Sequence, residues 1–395
     1  MRKLLIVMTT NPLNRYYYEK YDLKRINNQG NIKVKYWNLL QIHNKKIVGI
    51  FKKKGARIMY NKNYIEINGI LALIKEFRKL PKSFFYINWA SKKYKISIID
   101  RLLKICGGKK LYVRENAGYQ YITYKERFDF VRKNFNFSII KKFFKLPLVI
   151  ASNFIKFKII QAKPILYFVP NKKWYEIISK KEDSSKIKKI QDYDFQIFRK
   201  YEKERKKKNV IVFIDQEMDY SFDHRINYSK KPFMDKENYW FLVDKFLSLI
   251  NKKLNTQPVI AASHRRNIYD RPIKYKFFFD KTAELIKNSK FVIAHDSTAI
   301  HLAILFDKPI ILLTHDEFKK KQTKHHSILT ISNRIGAKII NLSNFSFLEK
   351  DLNLNAFLKV KKNKYSEYIK KQFTFHNKNS SSNWDIIKNE LEKVI

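Results

Sequence analysis

The sequence predicts two α/β domains in series, each a doubly wound parallel sheet covered by helices. Three observations carry that expectation. Short, continuous apolar runs such as Leu4-Leu5-Ile6-Val7-Met8, Val210-Ile211-Val212-Phe213-Ile214 and Ile310-Ile311-Leu312-Leu313 read as strands buried on both faces, as strands of a parallel sheet are. Helical patterns separate these runs, so strand and helix alternate. The alternation lapses in the charged stretch Lys172–Asn209 and restarts at Val210, and a chain of 395 residues is long enough for about two domains.

Taken in order, Leu4–Met8 is the first strand, with Thr9, Thr10 and Asn11 in its loop. A helix is expected from about Tyr16 to Asn27, ending near Gly30, and Ile32–Trp37 returns as a half-exposed strand. A helix around Ile70–Arg78, a strand at Phe84–Asn88, a helix at Ile96–Lys104 and a strand at Lys110–Arg114 follow, the last after the Gly107-Gly108 break. The basic, aromatic residues Phe128–Lys158 have two readings. Phe143–Ile150 and Phe154–Lys158 can form an amphipathic, lipid-facing helix pair or ordinary helices packed on a sheet. Ile165–Val169 is another strand. Phe198–Lys208 reads as a polar helix or linker, which sets a domain boundary near Arg205–Lys208. The expected division is residues 1–205, residues 206–345 and an extension, 346–395, whose helix near Trp384–Val394 can pack back on the first domain.

The second half repeats the pattern. Val210–Ile214 ends in Asp215-Gln216-Glu217, Lys236–Leu254 is an amphipathic helix, and Pro258–Ala262 ends in Ser263-His264-Arg265-Arg266. A segment at Thr282–Lys287 leads into strand Phe291–Ala294, helix Ala299–Leu305 and strand Ile310–Leu313. The turn between strand and helix holds His295, Asp296, Ser297 and Thr298, at a helix N-terminus that favours a phosphate. The competing reading makes Asp296 or Ser297 a helix N-cap and nothing more. Ligands of such sheets bind beyond the carboxyl ends of the strands, so the loops after Met8, Asn88 and Arg114 also matter. Glu115 in the last of these is a candidate site carboxylate or a solvated loop residue.

Composition narrows the function classes. No run approaches the ~18 apolar residues of a membrane span, and the five apolar residues after Met1-Arg2-Lys3 are too few for a signal-peptide core, so a cytoplasmic protein is expected. The single cysteine, Cys106, excludes an internal disulfide framework and a cysteine-rich metal site. Lys and Arg number 83 against 35 Asp and Glu, a net charge of +48 that attracts polyanions, either nucleic acid or an anionic membrane face. Part of the excess matches the Lys, Asn, Ile, Tyr and Phe usage of an AT-rich genome. The lysines are scattered in pairs and triplets such as Lys52-Lys53-Lys54 and Lys319-Lys320-Lys321, with no zinc-finger spacing, so specific nucleic-acid binding is not expected. Peripheral contact with anionic lipid fits better.

The second-half segments VIVFIDQ, PVIAASHRRNIYD and SKFVIAHDSTAIHLAILFDKPIILL resemble a family of bacterial GT-B glycosyltransferases found with capsule and surface-polysaccharide biosynthesis. In the first half, YYYEKYDLKRINNQGNIKVKYWNL and IQDYDFQIF are similar to that family's recurrent segments. The resemblance implies a GT-B fold, two Rossmann-like domains facing across a cleft. It also implies transfer of a sugar from a nucleotide-activated donor, a CMP-sugar among the candidates, to a growing surface glycan such as capsule or lipooligosaccharide. Bacterial sialyltransferases carry a His-Pro pair after a strand of the nucleotide-binding domain. Ser263-His264-Arg265 occupies that position without the proline. DSTAIHLA is similar to the donor motif of heptosyltransferases, which sets Asp296, Ser297 and His301 beside a nucleotide-sugar.

On that reading the donor-binding set is His264, Arg265, Arg266, His295, Asp296, Ser297, Thr298 and His301. Cationic and N–H donors at two strand ends would stabilise the phosphate leaving group without a metal or a cofactor. An acceptor hydroxyl needs a general base, for which Asp215, Glu217 and Glu115 are the candidates, each with a capping or ion-pairing role as its alternative. An inverting enzyme, cytoplasmic or peripheral on the inner face of the cytoplasmic membrane, is implied. Its partners are a nucleotide-sugar donor and a glycan or glycolipid acceptor. A nucleotide-sugar 2-epimerase of the same fold and a non-enzymatic polyanion-binding protein are the other two readings.

Overall fold

A computed structural model of the chain describes residues 3–20, 31–45, 62–90, 94–115, 162–203, 210–220, 232–263, 266, 272–320, 323–344, 349, 352–375 and 382–394. Its frame is two parallel sheets. The first contains β1 (Lys3–Thr9), β2 (Ile32–Asn38), β3 (Tyr64–Glu66), β4 (Phe84–Asn88), β5 (Gly108–Val113), β6 (Leu166–Val169) and β7 (Ile187–Lys189), in the order β3-β2-β1-β4-β5-β6-β7. The second contains β8 (Val210–Ile214), β9 (Pro258–Ala262), β10 (Lys276–Phe279), β11 (Ser289–Ala294), β12 (Ile310–Thr314) and β13 (Lys338–Asn341), in the order β10-β9-β8-β11-β12-β13. In each, the first strand of the domain sits inside the sheet and the winding reverses beside it, between β1 and β4 and between β8 and β11. The crevice at such a reversal is where doubly wound sheets bind ligands.

The strand sequences explain the layering. Along β1, Leu5 and Val7 enter one core cluster while Leu4, Ile6 and Met8 enter the cluster on the opposite face. Strand β4 divides likewise, Phe85 and Ile87 against Phe84 and Tyr86. Apolar side chains on both faces are what the unbroken runs encode, and each fully buried one contributes about 1.5–3 kcal/mol. The second core gathers Ile211–Ile214 of β8 with Trp240, Val243, Phe246, Leu247 and Ile250 of the helix Lys236–Leu254. Asp235 caps that helix by accepting the N–H groups of Glu237 and Asn238. In the first domain, Gly107 turns the helix Tyr94–Ile105 into β5 with φ of 89°, where a Cβ would collide with the Lys82 carbonyl oxygen.

The stretch after Lys172, which composition marks as charged and strandless, is ordered otherwise. Helix Lys172–Ser179, capped by Asn171, buries Trp174 and Ile178, and Ile187 of β7 joins them. The next helix, Tyr193–Tyr201, is capped by Asp192. A few apolar residues at helical spacing suffice to bury one side of these elements, which a count of charges does not register. The basic-aromatic region Phe143–Lys158 lies outside the described residues, as does the helix expected at Tyr16–Asn27 beyond Lys20.

The chain passes twice between the two cores. Phe195, on the helix that follows the first sheet, belongs to the second core, with Phe198 packed against it. The helix Lys362–Gln372 packs Tyr365 and Tyr368 into the second core, whereas the final helix, Asn383–Lys393, returns Trp384, Ile387 and Leu391 to the first. A Ser382–Asp385 capping box starts that last helix. Asn383 holds it by donating to the Gln191 carbonyl at 2.7 Å and accepting the Gln191 N–H at 2.8 Å, and Glu390 pairs with Lys188 at 2.8 Å. Leu391→Ala should therefore destabilise the first domain by about 2–5 kcal/mol in a denaturant titration, although Leu391 lies near the end of the chain. A change below 0.5 kcal/mol (roughly the noise of surface substitutions) would mean the final helix does not support that core.

Candidate active site

Strands β8, β9, β11 and β12 end on the same side of the second sheet, and their following residues build a polar layer. Gln216, the second residue after β8, crosses the switch point to the turn after β11. Its Oε1 accepts the N–H groups of His295 at 3.0 Å and Asp296 at 2.9 Å, and its Nε2 donates to Asp296 Oδ1 at 2.9 Å. Lys324 also donates to Asp296 Oδ1. The first two amides of the turn are thus committed inside the protein. Ser297 is half-buried and Thr298 exposed, so these hydroxyl residues form the outer edge of the turn. Ser297 Oγ accepts the Ala299 N–H at 3.2 Å, and Ala299 holds the N-cap position without a side-chain cap, so neither Asp296 nor Ser297 caps the helix Ile300–Leu305.

Below the turn, His295 is fully buried. Its Nδ1 lies 2.9 Å from the Leu313 carbonyl and its Nε2 3.0 Å from the Tyr239 hydroxyl. A carbonyl only accepts, so Nδ1 carries the proton and Nε2 accepts from Tyr239. Burial pushes the imidazole down to about 4, so His295 is neutral near pH 7. Such a ring positions the turn from beneath and offers no cationic charge to a phosphate.

Arg266 reaches back from the end of β9 into a buried ion cluster. Its Nε donates to Asp215 Oδ2 at 2.5 Å and its Nη2 to Asp215 Oδ1 at 3.1 Å, and Nη2 also meets Asp219 Oδ1 at 2.7 Å. Trp240 Nε1 donates to Asp219 Oδ2 at 3.0 Å, and the guanidinium lies 4.9 Å from the Trp240 ring centroid. Both oxygens of Asp215 face Arg266, and its Oδ1 additionally accepts the Glu217 N–H at 2.9 Å. Glu217 is buried with φ of 52°, the left-handed conformation that a glutamate seldom adopts outside a constrained turn. His264 and Arg265 lie outside the described residues.

The first sheet presents its own polar layer. Glu115, after β5, is buried and 3.3 Å from Lys20 Nζ. Burial raises the Glu115 carboxyl above its ordinary range and Lys20 opposes that rise without cancelling it. The Glu115 carbonyl accepts the Tyr193 N–H at 2.9 Å, and Lys20 Nζ stands 4.9 Å from the Tyr193 ring centroid. One residue further, Asp194 Oδ2 meets His301 Nδ1 at 2.8 Å, with both side chains buried. His301 thus faces inward, packed on Tyr368 and Phe373, and binds the helix Tyr193–Tyr201 to the second domain. Asp192, Asp194 and His301 also form the group among the described residues that could ligate a metal, their donor atoms lying within 4.8 Å of one another. The His301–Asp194 hydrogen bond already joins two of these three residues.

Sequence reasoning passed over Gln216, Asp219, Lys324, Lys20 and Asp194. Position was the available signal for Gln216, which stands two residues after the first strand of its domain. No helix among the described residues is long and apolar enough to cross a membrane.

No protein-family model matches the chain, and no curated protein matches it. Solved structures do. A variant of the wall teichoic acid polymerase TagF soaked with CDPG superposes with a TM-score of 0.51 at 11% identity, over 99% of this chain and 88% of that one. A second TagF variant gives 0.50 at 12% identity, over 100% and 89%. The fold is GT-B. The UDP-GlcNAc 2-epimerase of Methanocaldococcus jannaschii, in complex with UDP-GlcNAc and UDP, is also similar, at 0.48 and 14% identity over 98% and 99%, but a TM-score below one half carries no weight here.

The His301–Asp194 contact has a pH signature. Burial lowers the His301 pKa, but the hydrogen bond and charge of Asp194 outweigh it, with a further contribution from Asp192, and the net shift is upward. A raised folded-state pKa stabilises fully below the unfolded value of about 6.5, and that contribution is lost as pH rises through the folded value. The stability difference between the parent and Asp194→Asn should therefore be largest below about pH 6.5 and shrink above it. The buried neutral His295 works in the opposite direction but is common to both proteins and cancels. Urea titrations across that range giving a pH-independent difference would contradict a charged His301.

Proposed function

We propose that the chain is a metal-independent glycosyltransferase that moves a sugar from a nucleotide-activated donor to a glycan or glycolipid acceptor, with inversion. Residues 206–345 serve as the donor-binding domain, residues 1–205 as the acceptor domain, and 346–395 as the extension that ties them together. A CMP-sugar donor, a growing capsule-like surface glycan and a place on the inner face of the cytoplasmic membrane complete the reading.

The observation that carries it is the pair of polar layers at the carboxyl ends of two doubly wound sheets, joined by the helix Tyr193–Tyr201. On the donor side, Ser297 and Thr298 stand at the outer edge of a turn that Gln216, Lys324 and His295 hold, and His264 and Arg265, which follow β9 in the sequence, are the residues we assign to supply positive charge to the leaving phosphate. On the acceptor side, Glu115 is the base we favour. Asp215 has both oxygens committed to Arg266, whereas burial raises Glu115 toward the range in which a carboxylate accepts a proton efficiently. Lys20 beside it would stabilise the ionised form before the proton arrives. Glu217 is the remaining second-domain carboxylate of the set.

The two roles separate by kinetics. Glu115→Gln should keep the nucleotide dissociation constant of the parent and lower kcat by about 10²–10⁴-fold, as loss of a general base does. Ser297→Ala should weaken nucleotide binding by about tenfold to a hundredfold through loss of a phosphate hydrogen bond. Parent-like turnover by Glu115→Gln, followed as release of nucleotide from donor, would remove it from the reaction.

A further inference from the structure

Eight large hydrophobic side chains are exposed among the described residues, and six of them stand on two helices of the first domain. Ile70, Leu71 and Ile74 belong to Ile70–Phe77, while Ile98, Leu102 and Ile105 belong to Tyr94–Ile105. Leu71 is 84% exposed, Ile70 74% and Ile105 70%. Ile98, Leu102 and Ile105 recur at i, i+4 and i+7, one stripe of their helix, while Ile96, Ile99 and Leu103 fill the buried side. Leu73 of the other helix enters the same core cluster, so both helices cover the same face of the first sheet and turn their aliphatic outer surfaces away from it.

Among the described residues, the exposed charges on and beside these two helices have one sign. Lys75, Arg78, Arg101 and Lys104 are exposed. The two acids of these helices, Glu76 and Asp100, are buried and paired, Glu76 with Lys79 and Lys35 and Asp100 with Lys110 at 2.8 Å. Aliphatic side chains flanked by cations alone match a surface that is apolar inside and anionic outside. A second copy of the chain meeting this face with its own would set like charges against like.

We propose that this face of the first domain docks on an anionic lipid bilayer, the aliphatic side chains entering the boundary between headgroups and acyl chains and the basic residues meeting lipid phosphates. The proposal deepens the glycolipid side of the reading above by naming the surface that meets the membrane. Its test needs no donor and no turnover, so it fails or succeeds independently of the transferase reading.

The sole cysteine, Cys106, is exposed and directly follows Ile105, which makes the unaltered chain a reporter of its own docking. An environment-sensitive thiol fluorophore on Cys106 should brighten and shift to the blue with vesicles of equimolar phosphatidylglycerol and phosphatidylcholine, and far less with phosphatidylcholine alone. Leu71→Asp combined with Ile105→Asp should reduce partitioning, followed in parallel by cosedimentation, about tenfold or more. Lys104→Gln should reduce it about fivefold, and less at high salt. All three substitutions lie at exposed positions, and an unchanged circular dichroism spectrum would verify the fold. An unresponsive probe, or equal partitioning of parent and double variant, would overturn the proposal. So would a solution dimer, seen by light scattering, that the double variant dissociates.

Discussion

The helix Tyr193–Tyr201 begins against one domain and ends inside the core of the other, and the mutual placement of the two sheets depends on how its first turn is held. Tyr193 gives its N–H to the Glu115 carbonyl on the first side. Asp194, the next residue, reaches His301 on the second. Phe195 then enters the second core. Three consecutive residues thus connect the loop after β5 to the helix after β11, so that the strand ends of the two domains are related through a few covalent bonds. The return crossing, through Phe373 and the final helix, closes a second link and makes the connection a pair of straps.

Buried charge is the other constraint. Burying Asp215, Asp219, Arg266, Asp296, His295 and His301 is costly unless each is paired, and here they are paired with one another or with Gln216, Lys324, Tyr239 and Asp194. The result is a layer under the strand ends whose geometry is over-determined, leaving Ser297 and Thr298 as the outward groups. Rigid support beneath a few outward donors is the arrangement that stabilises developing charge without reorganisation.

How far this could be read in the sequence depended on burial. Interior strands such as β1, β8, β11 and β12 are apolar on both faces, and their continuous runs announce them. The edge strands β3, β7 and β13 carried no such signal, because an edge strand keeps part of its surface in solvent and admits lysines and a glutamate, as in Ile187-Lys188-Lys189, and the run in the fourth, β10, is only Phe277-Phe278-Phe279. The turn His295–Thr298 was legible as a polar interruption between buried elements, but the roles inside it were not. His295 looks from sequence like a site histidine, and only the Tyr239 hydroxyl and the Leu313 carbonyl turn it into a neutral support. Asp215 in the same way looks like a free strand-end carboxylate until Arg266 folds back onto it. Such pairings join residues far apart in the chain, and single-sequence periodicity holds no information about them.

That the paired strand ends hold a nucleotide-sugar is tested most directly by thermal unfolding of the unaltered chain with a panel of nucleotides, including UDP, CDP, CMP and GDP, and their sugar conjugates. One nucleotide class should raise the melting temperature in a concentration-dependent way, reaching a stabilisation of about 2.7 kcal/mol at ~100 times its dissociation constant, with no requirement for a divalent cation. A flat response to every nucleotide up to millimolar concentration would contradict a nucleotide site at these strand ends.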